Sequence, residues 1–152
     1  MAEPAGRRST WGAAMIGIGL MAAVDEIVFH QLLGWHHFYD RSTTGVALAS
    51  DGLLHTAELV LLVAGGFVLA DQRRRGALLP RSAWAGLFLG AGGFQLFDGI
   101  VDHKVLGVHQ VRYGVDLLPY DLGWLAAGAL LLLVGLLLAR GSRTRQDPAP
   151  RR

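Results

Sequence analysis

Carboxylates and imidazoles set inside apolar sequence are the groups of this chain with chemical consequence. His30, His55 and His103, with Glu26, Glu58, Asp98 and Asp102, lie within or at the ends of hydrophobic runs. An ionised carboxylate at such depth costs a few kcal/mol, so it must turn inward and find a partner. Helical spacing gives these groups common directions. Glu26 and His30 are i, i+4 neighbours, as are Asp98 and Asp102. At ~100° per residue, Asp51, His55 and Glu58 fall within about 60° of arc. Mixed histidine and carboxylate ligation inside a helical bundle suits a divalent metal. Cysteine is absent and methionine occurs only at positions 1, 15 and 21. The donor set therefore favours Zn, Fe, Mn or Cu(II) over Cu(I). The expected ligand pool is Glu26, His30, His55, Glu58, Asp98, Asp102 and His103.

Part of this constellation occurs twice. Residues 8–36 laid on 81–109 share twelve identical pairs, among them Asp25/Asp98, His30/His103, Gly34/Gly107 and His36/His109. Such agreement reads as a duplicated unit, an apolar helix ending in acids and histidines. Asp51 aligns with Asp121 more weakly, while His55 falls on Leu125 and Glu58 on Gly128. The second half thus lacks part of the set. One asymmetric site built from helices 1, 2 and 3 is expected rather than a symmetric pair. His36, His37 and Tyr39, beside Trp35 and Phe38, read as membrane-interface anchors, and so do Tyr113, Tyr120 and Trp124.

The elements that must position these groups follow from composition. The chain has 152 residues, 52% of them hydrophobic and 17% charged. Its apolar residues collect in four blocks, about 11–33, 51–70, 82–105 and 122–139. Each approaches the ~20 residues that span a hydrocarbon core. The fold expected is an all-α integral membrane bundle of four transmembrane helices, made of two parallel two-helix repeats. A basic lead (1–10) and a disordered cytoplasmic tail (140–152) flank the membrane domain (11–139). The first block is too long for a signal-peptide core and runs into Asp25-Glu26, so it reads as a retained helix. Glycines at 17, 19, 65, 66, 86, 90, 93, 128 and 135 allow close helix contact.

Charge sets the orientation. Eleven of the fourteen basic residues lie in the lead, the 71–82 turn and the tail. By the positive-inside rule both termini are cytoplasmic. The basic balance is then a topology signal and does not indicate a nucleic-acid partner. All six histidines and nine of the twelve acids fall on the opposite side. Disulfides, thiolate metal sites and a cysteine nucleophile are excluded by the absence of cysteine. Phosphate loops, dinucleotide fingerprints and a Ser/His/Asp arrangement have no plausible positions.

The segments DEIVFHQLLGWHH, DGLLH, FDGIVDHKVLGVHQVR and YDLGW resemble the small bacterial membrane proteins of domain of unknown function 2243. The resemblance spans about residues 11–139. It implies four helices in a bacterial inner membrane. Its members' encoding near cytochrome oxidase assembly factors implies copper or haem handling, with a respiratory oxidase or its assembly factors as partner beside the lipid bilayer. Several readings remain open at this point. One is metal binding for delivery or for catalysis at the outer surface. Others are haem held by His30 and His103, and proton or ion movement along a carboxylate–histidine chain. The last is a non-catalytic interaction subunit whose acids and histidines only pair with each other. Homo-oligomerisation and enzymatic activity are undecided by sequence.

Overall fold

A computed structural model describes residues 5–143, all helix and connector, with no strand among them. We number the helices in chain order: α1 Ala5–Leu32, α2 Thr44–Arg74, α3 Pro80–Leu106 and α4 Leu117–Arg143. All four are long and apolar enough to cross a membrane.

Each helix exceeds its apolar block for a local reason. At α2 the Thr43 side chain accepts from the Val46 amide, so the helix starts seven residues before Asp51. Pro80 opens α3, where its missing N–H costs nothing. Pro119 likewise falls in the first turn of α4, which begins at Leu117 rather than 122. Residues 5–10 and 140–143, expected as lead and tail, are helical. The remainder of the expected tail, 144–152, and residues 1–4 lie outside the described residues.

Glycine contacts define the packing order. A Cβ at Gly86 or Gly90 would run into the backbone of Thr10 and Ala14, and one at Gly17 into Leu87. These pairs advance together along both helices, so α1 and α3 are parallel with touching backbones. Gly12 faces Val68 while Gly19 faces Glu58, which makes α2 antiparallel to α1. Gly92 meets Leu132 and Gly135 meets Leu89, which does the same for α4 on α3. The backbone of α2 packs on α1 and that of α4 on α3, and Phe29 of α1 reaches Trp124 of α4 edge to face. The bundle is thus a row, α2–α1–α3–α4, around a central parallel pair. The most apolar windows of α1 and α3 are 44% and 39% buried, against 11% and 17% for α2 and α4. The flanking helices therefore leave wide apolar faces for lipid. Gly66 and Gly93 differ from expectation, because each faces open space rather than a neighbouring helix.

At one end of the row both central helices change winding. Asp25–Leu32 and Asp98–Leu106 are π-helical, with hydrogen bonds reaching five residues back. Both segments are followed by a glycine at positive φ, Gly34 at 58° and Gly107 at 56°. That left-handed conformation, costly for other residues, turns each chain back over the bundle end.

Candidate metal centre

The π-turns place the first two chemical groups of each segment. In an α-helix, residues five apart point about 140° from one another at ~100° per residue. π-Helical closure at i, i+5 brings them onto one face instead. Asp25 Oδ2 thus lies 3.5 Å from His30 Nε2, and Asp98 Oδ2 lies 3.1 Å from His103 Nε2. The glycine turn then returns a third group to each cluster. His36 Nε2 sits 3.8 Å from Asp25 Oδ1, and His109 Nε2 sits 3.3 Å from Asp98 Oδ1. Segments 73 positions apart therefore make the same Asp–His–His contacts.

The two clusters join through the connectors that follow them, 33–43 after α1 and 107–116 after α3. His36 Nδ1–H donates to the Val111 carbonyl at 2.9 Å, and His109 Nδ1–H donates to the Phe38 carbonyl at 2.9 Å. Each histidine is thus held by the other half's connector. The Asp40 amide adds a bond to the Val108 carbonyl at 3.0 Å. The His36 and His109 rings stack with centroids 4.6 Å apart and planes 2° from parallel. His103 meets His109 edge to face at 4.6 Å, and His30 meets His36 in the same way at 4.5 Å.

These contacts fix tautomers. A carbonyl only accepts, so Nδ1 of His36 and of His109 carries the proton; Nε2 of the neutral His36 ring keeps its lone pair, whereas Nε2 of His109 faces the Asp98 carboxylate. Burial, followed by the neighbouring His109 and His30, pushes His36 down to about 3, so its ring is neutral at ordinary pH. For His109 burial opposes the charged form, but the Asp98 carboxylate outweighs it and the shift is upward. Nε2 of both rings, both ring nitrogens of His103 and Asp98 Oδ2 are buried with no hydrogen bond beyond these histidine–aspartate contacts. His36, His103 and His109 bring one ligand atom each to within 4.8 Å of one another, and Asp25, His30 and His36 do the same. Convergent ring nitrogens, with His36 and His109 each oriented by a second hydrogen bond, could hold a metal ion.

A third group extends toward α2. His30 Nδ1 lies 2.8 Å from Glu26 Oε2 and 3.2 Å from Asp51 Oδ1. Asp51 is fixed from above by the Phe38 amide at 2.8 Å and by His37 at 2.6 Å.

The expected ligand pool is distributed as follows. Asp98 and His103 lie in one paired cluster, and His30 and Glu26 join Asp25 and Asp51 in the other. Asp102 is buried beside them, outside the three convergent groups. His55 and Glu58 form a pair of their own, 2.5 Å apart, with the His55 side chain half exposed and Glu58 buried. Asp51, His55 and Glu58 therefore do not all point one way; His55 turns to the rim. Sequence reasoning left Asp25, Asp51, His36 and His109 out of the pool. His36, expected at the membrane interface, is buried inside the cluster, and Trp124 is buried against Phe29 and His103. The expectation of one asymmetric site gives way to two like clusters in contact, with an extension on the α2 side only.

Lysine and arginine do not neutralise the central acids. Lys104 pairs with Asp121 at 2.6 Å, Arg41 donates to the Gly107 carbonyl, and Arg112 donates to the Tyr120 hydroxyl while lying over Trp35. Among the described residues, Asp25, Glu26, Asp51, Glu58 and Asp98 form ion pairs with histidines alone.

No curated protein and no solved structure matches this chain. The family model described as predicted membrane protein, domain of unknown function 2243, matches residues 12–142. That match takes in all four helices and both connectors, and the chain belongs to this family of membrane proteins.

Proposed function

We propose that this protein binds a divalent transition metal on His36, His103 and His109 and serves metal handling at the outer face of a bacterial inner membrane. Asp25 and Asp98 flank the ion, as ligands or as acceptors that orient the rings. Zinc, iron, manganese and copper(II) all suit nitrogen and oxygen donors of this kind. One observation carries the reading: His36 and His109 commit Nδ1 to carbonyls and turn Nε2, beside Asp25 and Asp98, toward a buried volume shared with His103. Packing alone does not require three converging buried imidazoles, whose desolvation is costly.

The ring contacts favour an ion over haem. Imidazoles touching at 4.5 to 4.6 Å leave no planar slot between them for a macrocycle. The orientation rests on charge, with the arginine-rich ends cytoplasmic and the histidine end outside. The matching Asp–His–His contacts of the two halves support descent from a duplicated two-helix unit. Delivery of the metal to a respiratory oxidase or its assembly factors is the role implied by the family resemblance, and co-purification tests it.

The decisive experiment is elemental analysis of detergent-purified protein. Near-stoichiometric metal is expected, lost in a His36→Ala/His109→Ala double variant. A well-folded wild type that takes up none of zinc, iron, manganese or copper would overturn the reading. It would leave the histidines and acids as packing contacts of an interaction subunit.

A further inference from the structure

The two halves of the centre differ in charge and access, and the difference points to a second ion. In the α3 half, the position equivalent to Glu26 is Gly99, and a Cβ there would strike Trp124. The position equivalent to Gln31 is Lys104, whose ammonium pairs with Asp121 at 2.6 Å. That side is closed by an indole and neutralised by a lysine. In the α1 half, Glu26 and Asp51 converge on His30 Nδ1 without either device.

Gln31 stands where the lysine would be. Its amide donates to Glu26 Oε1 at 2.7 Å and reaches Asp51 Oδ2 at 3.5 Å. A neutral amide thus bridges two carboxylates that have no lysine or arginine partner among the described residues. Glu26 is 2% exposed, and its Oε2 and His30 Nδ1 have no polar neighbour beyond each other and Asp51. Two buried carboxylates this close repel each other unless a proton, here shared through His30, or a bound cation lies between them.

A cavity of about 320 Å³ adjoins them, lined by Glu26, Gln31, Asp51 and His55 together with apolar groups of α1 and α2. Its volume accommodates a hydrated ion. The half-exposed His55, paired with the buried Glu58, stands on its wall.

The geometry points to a second cation position formed by Glu26, His30 Nδ1 and Asp51, loaded through this cavity and separate from the three-histidine position. The proposal rests on the reading of this end of the bundle as a metal centre. The two positions share no residue: His36, His103 and His109 hold one, and Glu26, His30 and Asp51 hold the other. The second is richer in oxygen, carries more negative charge and opens to the cavity. It is the more exchangeable of the two, and an ion arriving from outside meets it first.

Zinc(II) titration of the purified full chain against a competing chelator, with elemental analysis of each sample, tests the proposal. The key variant is Gln31→Lys, which gives the first half the ammonium that the second half already has. Gln31 is exposed, so the longer side chain has room. Wild type is expected to bind two equivalents and Gln31→Lys one, with at least a tenfold weakening of the lost equivalent. Glu26→Gln, which keeps the side-chain shape, should behave alike, and His109→Ala should lose the other equivalent instead. A wild type that binds a single equivalent, kept in Gln31→Lys and lost in His109→Ala, overturns the second position and leaves the three-histidine site standing. A single equivalent lost in Gln31→Lys and kept in His109→Ala supports the carboxylate position and contradicts the three-histidine one. Two equivalents unchanged in both Gln31→Lys and Glu26→Gln also overturn the proposal.

Discussion

His36 and His109 each carry two roles, because the nitrogen that faces the centre is set by the one bonded to the opposite connector. Removing either ring takes away a proposed metal donor and strands a carbonyl, that of Val111 or of Phe38. His109→Ala is therefore expected to lose bound metal and to cost about 1–3 kcal/mol of stability, the usual range for an unsatisfied buried polar group. Thermal unfolding in detergent, read beside metal content, checks both. His37→Ala removes only one partner of Asp51, at a half-exposed site, and is expected to keep the three-histidine ion. At this scale the sequence was readable where burial forced a conclusion. A carboxylate such as Asp98 inside an apolar run has to find an imidazole, and His103 supplies it. His36 and His109 were harder, because Trp35, Phe38 and Tyr39 around the first of them have the composition of an interface belt. The signal that marks them is their identity at equal positions of the two related segments.

The helices position these groups through two local devices, the π-turn and the glycine that ends it. Neither Asp25 and His30 nor Asp98 and His103 would meet on an α-helix, and no residue pattern announced the change of winding. The glycines were legible as a class, but a class does not say which face is used. Gly107 has φ 56°, so Gly107→Ala is expected to cost about 1–2 kcal/mol through the left-handed backbone alone and to loosen the return of His109 to the centre. Gly86 carries the α1–α3 contact. A Cβ there meets the Thr10 backbone, which cannot yield as a side chain can. Gly86→Ala should lower stability by about 1–3 kcal/mol, the range for overpacking. Gly66→Ala, at a position facing open space, should be neutral or slightly stabilising. Unfolding midpoints of the two variants compared side by side check this, and equal losses would contradict the packing order.

For the whole molecule, four spans and the clustering of histidines at one end followed from hydropathy and charge. The row α2–α1–α3–α4 did not, since four apolar helices are equally compatible with a closed bundle. What selects the row is the backbone contact of α1 with α3, which leaves α2 and α4 as lipid-facing flanks. The absence of cysteine makes orientation directly testable. A single cysteine at Tyr113, exposed in the second connector, should react with a membrane-impermeant maleimide on intact cells. One at Arg74, in the arginine-rich turn, should react only after lysis. The reverse pattern would invert the proposed topology and put the histidine end of the bundle on the cytoplasmic side.

The central claim is that imidazoles from both halves converge on one ion. X-ray absorption at the edge of the bound metal reads this most directly. The structure predicts a first shell of nitrogen and oxygen only, at about 2.0–2.1 Å if the metal is zinc, with the outer-shell scattering of several imidazoles. That scattering should weaken in His36→Ala/His109→Ala. A metal whose shell contains no imidazole, or whose spectrum is unchanged in that double variant, would contradict the account.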